Sequence, residues 1–336
     1  MGSSITRRQA GMTLVEVMVS ITVGLILLSG VVSIFVSNKT AYRLQESTNV
    51  LDENARYALN QIQYHLRMGD HWGGVEADFI DVDADLASLP IATTCTQSPV
   101  ISTVGFFALE GGASSPLSCI PAADYMPNTD VLVVRYADPE RTVTASLVAT
   151  DVYLRAKVGA AGILFLGNQD MTDLPGDLYE NPEPETQANY AFRTVIYYIR
   201  RCASQDRGTA GVCDAADDTT PTLARLVLNG TSMVQEDVVA GVEQLQATFG
   251  VLTDAPIPTT QYFSATTITA NNQWPSVVNV QVSLMVRGPE RDVAYTDDRD
   301  DFAMYGGFTY DPPTADEQFH RKQFNFAVQV RNKTRG

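Results

Sequence analysis

The chain has 336 residues, a formal net charge of −16 and 18% charged residues. That length holds one sizeable soluble domain, or two small ones, beyond an apolar N-terminal segment. The acidic balance excludes a nucleic-acid binder of the ordinary kind, which needs a basic footprint, and no 20–50-residue repeat points to a solenoid.

The first informative element is the head. Arg7 and Arg8 precede Gly11; Met12-Thr13-Leu14-Val15-Glu16 follows, and residues 17–36 carry no charged side chain. Twenty residues of helix at about 1.5 Å each reach roughly 30 Å, the hydrocarbon thickness of a bilayer. The basic flank keeps the head cytoplasmic and exports the remainder. A cleavable secretory signal has its cleavage site after the apolar stretch. Here Asn38-Lys39-Thr40 follows instead and leads into more helix. Glu16, placed where a carboxylate near hydrocarbon costs on the order of 2–3 kcal/mol, needs a partner. Thr13-x-x-Glu16 fits a helix capping box, and a new amine at Met12, made by cleavage after Gly11, could neutralise the carboxylate in the same chain or in a neighbour.

The helix is predicted to continue to about residue 68. Leu44, Thr48, Leu51, Ala55, Leu59, Ile62 and Leu66 recur on one face, with no proline or glycine from residue 31 to 68 and Gly69, Gly73 and Gly74 as stop signals. That stripe is expected to lie on a sheet, and His65 is expected at the surface. A loop-rich stretch from Asp81 to Pro127 is followed by predicted strands at 131–136, 147–154, 163–166, 191–199, 223–228, 244–251, 277–287 and 324–330. Strands without long intervening helices predict a mainly antiparallel sheet, hence an α+β chain with its long N-terminal helix packed on that sheet. Segments 181–185 and 297–301 read as exposed loops.

Cys95, Cys119, Cys202 and Cys213 all lie in the exported part. Their spacing suggests two local pairs, Cys95–Cys119 and Cys202–Cys213, among three formal connectivities. Each local bridge would contribute about 3 kcal/mol in the chain-entropy view and fits an oxidising compartment. Catalytic and metal motifs do not emerge. His65, His71 and His320 form no H-E-x-x-H, and no P-loop or G-x-S-x-G occurs. Asp81-x-Asp83-x-Asp85 opens like a calcium loop, but Leu86 and Ala92 stand where that loop needs glycine and glutamate. No enzyme activity, cofactor or metal is expected.

Residues 11–21 resemble the class III signal of type IV pilins and of type II secretion pseudopilins. The resemblance implies cleavage after Gly11 by a prepilin peptidase, N-methylation of Met12 and a filament-docking role for Glu16. Met12 in place of the usual Phe, and the absence of a proline before Pro90, point to a minor subunit. Asn54-Ala55-Arg56-Tyr57-Ala58-Leu59, Leu66-Arg67-Met68-Gly69, Tyr198-Ile199-Arg200, Leu223-Ala224-Arg225-Leu226, Gly241-Val242-Glu243-Gln244-Leu245-Gln246 and Val328-Gln329-Val330-Arg331-Asn332 resemble, in order, the PilW-type minor pilins. PilW-like chains often carry a cysteine soon after the helix, whereas this chain reads Asp70-His71-Trp72-Gly73-Gly74-Val75.

The resemblance implies four parts: a leader at 1–11, a transmembrane helix at 12–36, its amphipathic continuation at 37–69 and a β-rich periplasmic domain at 70–336. It implies a minor pilin that primes type IV pilus assembly and resides in the tip complex. Its expected partners are other minor pilins, the major pilin, a PilY-type tip adhesin, the prepilin peptidase and inner-membrane lipid before assembly, with no nucleic acid bound directly. The alternatives are a J-type pseudopilin of a type II secretion system and, from another class, a membrane-anchored periplasmic enzyme or binding protein.

Overall fold

A computed structural model describes residues 11–88, 95, 100–176, 178, 185–205, 211–253, 256–293, 295–297, 299, 301–330 and 332. The chain forms two compact units, Met1–Asn49 and Val50–Gly336. Helix α1, Leu14–Met68, begins in the first and ends in the second.

In the first unit the helix is capped by Thr13, whose hydroxyl accepts the Glu16 N–H at 3.3 Å and whose carbonyl accepts the Val17 N–H at 3.2 Å. Every residue from 11 to 46 is exposed, including Leu44. Leu44 and Thr48, expected in the packing stripe, therefore stay outside it; the buried seam of the second unit is Leu51, Ala55, Ala58, Ile62 and Leu66. The helix stops where Gly69 meets Phe106: a Cβ at Gly69 would lie 2.3 Å from that ring. Asp70 then turns the chain at φ 63°, its carboxylate accepting the Trp72 indole N–H at 3.0 Å and the Gly105 N–H at 3.2 Å.

Two sheets, not one, fold against that seam. The first holds β1 (Ile80–Val82), β2 (Phe106–Leu109), β3 (Val131–Thr142), β4 (Val152–Lys157), β5 (Ala161–Leu166), β6 (Gln187–Arg200), β7 (Thr222–Asn229) and β8 (Ser232–Ala240). Its order is β1-β5-β4-β6-β3-β2, with β7 joined to β6 and β8 to β7. β6 pairs with β4 along its first half and with β7 along its second, so one long strand ties the sheet together. The second sheet holds β9 (Val242–Leu252), β10 (Thr260–Phe263), β11 (Val277–Arg291) and β14 (Phe319–Gln329) in the order β10-β9-β11-β14. β12 (Phe302–Ala303) and β13 (Thr309–Tyr310) make a small separate hairpin. Among the described residues every strand pairing is antiparallel except β1 with β5.

The principal core joins the α1 seam to inward residues of both sheets, among them Val195, Tyr197 and Leu223 from the first and Leu245, Phe249, Val282 and Leu284 from the second. Trp274 fills a corner, edge-on to Phe249 at 4.8 Å. A second core lies on the other face of the eight-stranded sheet, where Trp72 stacks on Phe192 at 6.1 Å. The stretch from Asp81 contains more order than its composition suggested. Asp83 caps a short helix, α2 (Ala84–Ser88), by accepting the Asp85 N–H at 2.9 Å, and buries Leu86. The strand expected from 147 begins only at Val152, because 144–146 closes a 3₁₀ turn.

Gly241 is the point where the chain passes from one sheet to the other. Its N–H donates to the Pro221 carbonyl at 2.7 Å and its carbonyl accepts from Arg287 at 2.8 Å, so one residue serves both ladders. It sits at φ +92°, and a Cβ there would lie 2.9 Å from the Arg287 oxygen. Backbone strain and the close approach add. Gly241→Ala is expected to lower stability by about 2–3 kcal/mol, read from the urea midpoint of the purified full chain, with Gly112→Ala, open on all sides, as the near-neutral reference.

Candidate functional site: the N-terminal helix and its polar anchors

Gly11, Met12 and Glu16 occupy the exposed start of α1 in the first unit. Thr13 provides half of a capping box: its side chain holds the Glu16 amide, while the Glu16 carboxylate lies exposed at the third helical position. Downstream, Ser20 and Thr22 return their hydroxyls to backbone carbonyls at 2.7 and 2.9 Å, which removes their polarity from an otherwise apolar surface. Between Glu16 and Lys39 the helix presents no charge, and its large apolar side chains stand open to their surroundings, Ile26 at 72% and Phe35 at 68% exposure. Such a cylinder is a surface for lipid or for other apolar helices. Arg7 and Arg8 lie outside the described residues.

In the second unit, polar residues fix the helix on the two sheets. The Asn54 side chain donates to the Ala240 carbonyl at 3.3 Å, beside the sheet switch at Gly241. At the far end, the Asn332 carboxamide donates to the carbonyls of Arg67, Met68 and Gly69, at 3.3, 3.4 and 2.9 Å, and so satisfies orphan acceptors of the helix C-terminus. Lys322 on β14 reaches Asp52 at 2.7 Å across the exposed rim.

His65 is not a surface residue. It lies 7% exposed on the face continued from Ala58 and Ile62, with Nδ1 2.6 Å from the Tyr197 hydroxyl and 3.0 Å from the Gln61 carbonyl. Arg225 donates to the Gln61 side chain at 3.1 Å and is held by Glu236 at 2.7 Å. Burial, then the Arg225 charge, pushes the His65 pKa down to about 4. His71 is half-buried behind the helix stop, and His320 stacks on Tyr295 at 3.9 Å with Asp292 at 3.3 Å. No group of three or more His, Cys, Asp or Glu side chains suited to a metal occurs among the described residues.

The second buried cluster anchors the four-stranded sheet. Glu243 receives Arg321 in a two-pronged contact at 2.6 and 3.0 Å, the Tyr310 hydroxyl at 3.0 Å and Arg287 at 3.5 Å. The Arg287 guanidinium also covers the Phe319 ring at 4.2 Å. In the eight-stranded sheet, Arg200 binds Asp237 at 2.6 and 3.1 Å and the carbonyls of Cys202 and Ala203 at 2.8 and 2.7 Å. Asp124 accepts the Cys213 N–H at 2.6 Å and Gln205 at 3.0 Å; burial raises its pKa. The Cys202–Cys213 loop is thus held from within and from β6. The Cys95 and Cys119 sulfurs are bonded to each other, as are those of Cys202 and Cys213, with Cα separations of 4.5 and 5.8 Å. Asp297, expected in an exposed repelling run, is buried and gripped by Arg299 at 2.8 and 3.0 Å, which lowers its pKa against the effect of burial. Positions 298 and 300 of that run, like 181–184 of the other expected loop, lie outside the described residues.

The comparisons with known proteins fall on these same two regions. Residues 6–32 match the model of the prokaryotic N-terminal methylation motif. Residues 196–332 match that of PilW, type IV pilus-assembly protein W. A type IV-like pilin from Thermus thermophilus is similar over 85% of this chain and 98% of its own, at 10% identity and a TM-score of 0.33. No curated protein sequence matches the chain. The N-terminal methylation motif and the exposed apolar helix are those of a pilin-like chain with a prepilin-type signal. Together with the match over residues 196–332 they support a type IV pilus minor pilin of the PilW family.

Two predictions test the anchors. Glu243→Ala removes the carboxylate that pairs with the buried Arg321 and leaves the half-buried Asp316, 3.5 Å from Arg287, as the remaining ion-pair partner of the cluster; it is expected to cost about 3–5 kcal/mol in chemical unfolding. The His65 pKa lies below its ordinary 6.5, so between pH 6.5 and about 4 the unfolded chain holds a proton that the folded chain refuses. Stability on this account falls as pH drops through that window, by about 3 kcal/mol at most. Asp130, raised to about 6 by burial from 3.8, slopes the other way between those values. His65→Gln is expected to lose less stability than the parent from pH 6.5 to 4, measured by urea titration at each pH.

Proposed function

We propose that this minor pilin primes type IV pilus assembly and resides in the complex at the filament tip. The observation that carries the reading is the pairing, on one chain, of a prepilin methylation motif with a PilW-type domain. On this reading the chain has a leader at 1–11, a transmembrane helix at 12–36, an amphipathic continuation at 37–69 and a periplasmic domain at 70–336. Prepilin peptidase cuts after Gly11 and methylates Met12. Before assembly the chain is anchored in the inner membrane with its β-rich domain in the periplasm, where both disulfides close.

On assembly, the apolar segment leaves lipid for a bundle of equally apolar pilin helices. Little hydrophobic free energy changes in that exchange, so register falls to the few polar groups. The exposed Glu16 carboxylate is the one charged side chain between Arg8 and Lys39. It pairs with the N-terminal amine of a neighbouring subunit, a contact whose strength comes from the low dielectric around it. The β-rich domain selects the partners: other minor pilins, the major pilin and a PilY-type adhesin. The role is structural, and none of the anchors needs catalysis to explain it.

Mass spectrometry of the mature protein is expected to find an N-methylated Met12 and no residues before it; an intact Met1 in assembled protein would refute the processing. Glu16→Ala is expected to leave the protein abundant in the membrane while sharply reducing its recovery in sheared filaments. Wild-type piliation and incorporation in that variant would remove the docking role. Loss of protein secretion, rather than of pili, on deleting the gene would move the chain to a type II secretion machine.

A further inference from the structure

β14 ends the four-stranded sheet and pairs with β11 on one side only. Just past the strand, the Val330 N–H donates to the Val278 carbonyl at 2.9 Å, next to the couple Gln329 and Asn279. In an antiparallel ladder, opposed residues alternately exchange both backbone bonds or neither. Val328, Phe326 and Phe324 therefore bond to β11. Gln323, Asn325, Ala327 and Gln329 turn their backbone N–H and C=O groups outward, and among the described residues these groups meet no partner.

This row is unguarded, whereas the other sheet edges are short or defended. β1, β2 and β10 run three or four residues. β8 carries Glu236 and Asp237 and is bulged at Val238, which has no opposite residue on β7. Residues 323–329 of β14 carry no charge and no proline, and pair with β11 without a register shift. Asn325, Ala327 and Gln329 are exposed on the outer face. On the helix face Phe324 and Phe326 are only half-buried against the principal core, in a row with the buried Val328. Lys322, at the border, is held by Asp52 at 2.7 Å.

We propose that this edge takes up an extended strand of a different subunit, which joins the four-stranded sheet as its fifth strand. Backbone donors and acceptors recurring at roughly 7 Å along an edge are complementary to an extended backbone. A helix, whose own backbone groups are consumed, cannot answer them. The incoming strand carries apolar residues at alternate positions, which continue the row of Phe324, Phe326 and Val328. A second copy of this chain is excluded by direction. Closed pairing of one edge with itself is antiparallel, about a two-fold axis normal to the sheet. α1 packs on the inner face of that sheet, so the axis reverses the direction in which it enters the domain. Two chains anchored in one membrane enter from the same side. The choice of a different subunit rests on the assembly reading above; the recognition of a strand does not.

The probe is a synthetic peptide of residues 322–330, Lys-Gln-Phe-Asn-Phe-Ala-Val-Gln-Val, with a dye and a neutral polyethylene-glycol tail for solubility. Free of a helix, it pairs antiparallel about Phe326 and meets every outward group. Fluorescence anisotropy with the detergent-purified full chain is expected to show saturable binding. N-methylation of the peptide at its Asn325 and Ala327 equivalents removes two pairing donors and is expected to weaken binding at least about tenfold. N-methylation at the Phe324 and Phe326 equivalents, on the far side, is expected to retain most of it. Ala327→Pro in the protein removes an N–H that bonds nothing in the fold and is expected to lower binding as much; if it also lowers the melting temperature, the two methylated peptides carry the test. In cells, Ala327→Pro is expected to reduce recovery in sheared filaments severalfold. Absence of peptide binding, equal losses from the two methylated peptides, or binding unchanged in Ala327→Pro would overturn the edge. A full-chain dimer in sedimentation that Ala327→Pro dissociates would assign the edge to a second copy and overturn the partner. Filament recovery unchanged in Ala327→Pro but lost in Glu16→Ala would overturn the edge contact and leave the assembly reading intact. An intact Met1 in assembled protein would defeat that reading and leave the peptide outcomes as stated.

Discussion

The fold of the second unit depends on one helical seam. Leu51, Ala55, Ala58, Ile62 and Leu66 bury a single face of α1 against strands of two different sheets. The sheets are joined in the chain by one residue, Gly241, and are stitched again at the start of β3, where the Asp130 N–H donates to the Leu245 carbonyl at 2.9 Å and its carboxylate accepts the Ala247 N–H at 2.8 Å. Their common core is built around the helix. Full burial of each large aliphatic side chain on the seam contributes about 2 kcal/mol, and the alanines at 55 and 58 let the helix backbone approach both sheets at once.

A hydrophobic seam fixes distance but not position along the axis. Polar contacts supply that. Asn54 ties the middle of the helix to Ala240, at the sheet switch, and Asn332 closes its last carbonyls from the end of β14. The Glu243 cluster then locks β9, β11 and β14 to one another at the edge of the same core. A buried ion cluster adds little net stability over an apolar replacement. Its effect here is on register, because Glu243 occupies the bulge between Met285 and Val286, where the ladder alone does not dictate the pairing.

The periodic part of this design was legible in the sequence. Apolar spacing gives the helix to Met68, and short runs of Val, Ile, Leu, Tyr and Phe give most long strands. The polar part was not. His65 reads as a surface residue because imidazole is polar, yet it falls seven residues after Ala58, on the buried face; the Tyr197 hydroxyl that satisfies it is 132 residues away. Asp297 reads as one of a repelling run until Arg299 folds back onto it. β8, with alternating exposed positions and Gln235-Glu236-Asp237 at its centre, has too little apolar character to be recognised alone; it exists because β7 offers an edge. Glu16 is the converse case: its meaning is set by what surrounds it in sequence.

The residues that carry the PilW resemblance divide along the same line. Asn54, Arg200, Arg225, Gly241, Glu243 and Asn332 are all holders of backbone or of buried charge. They specify how a long helix is seated on two sheets, which any subunit carrying that helix into a filament requires. They leave unspecified what the surfaces away from the helix do. In this chain the seat is built from ionic and amide contacts directed inward. Buried carboxylates and guanidinia are consumed by their partners and cannot recognise anything else, so the groups that carry the resemblance hold shape and the choice of partner falls to other surfaces of the domain.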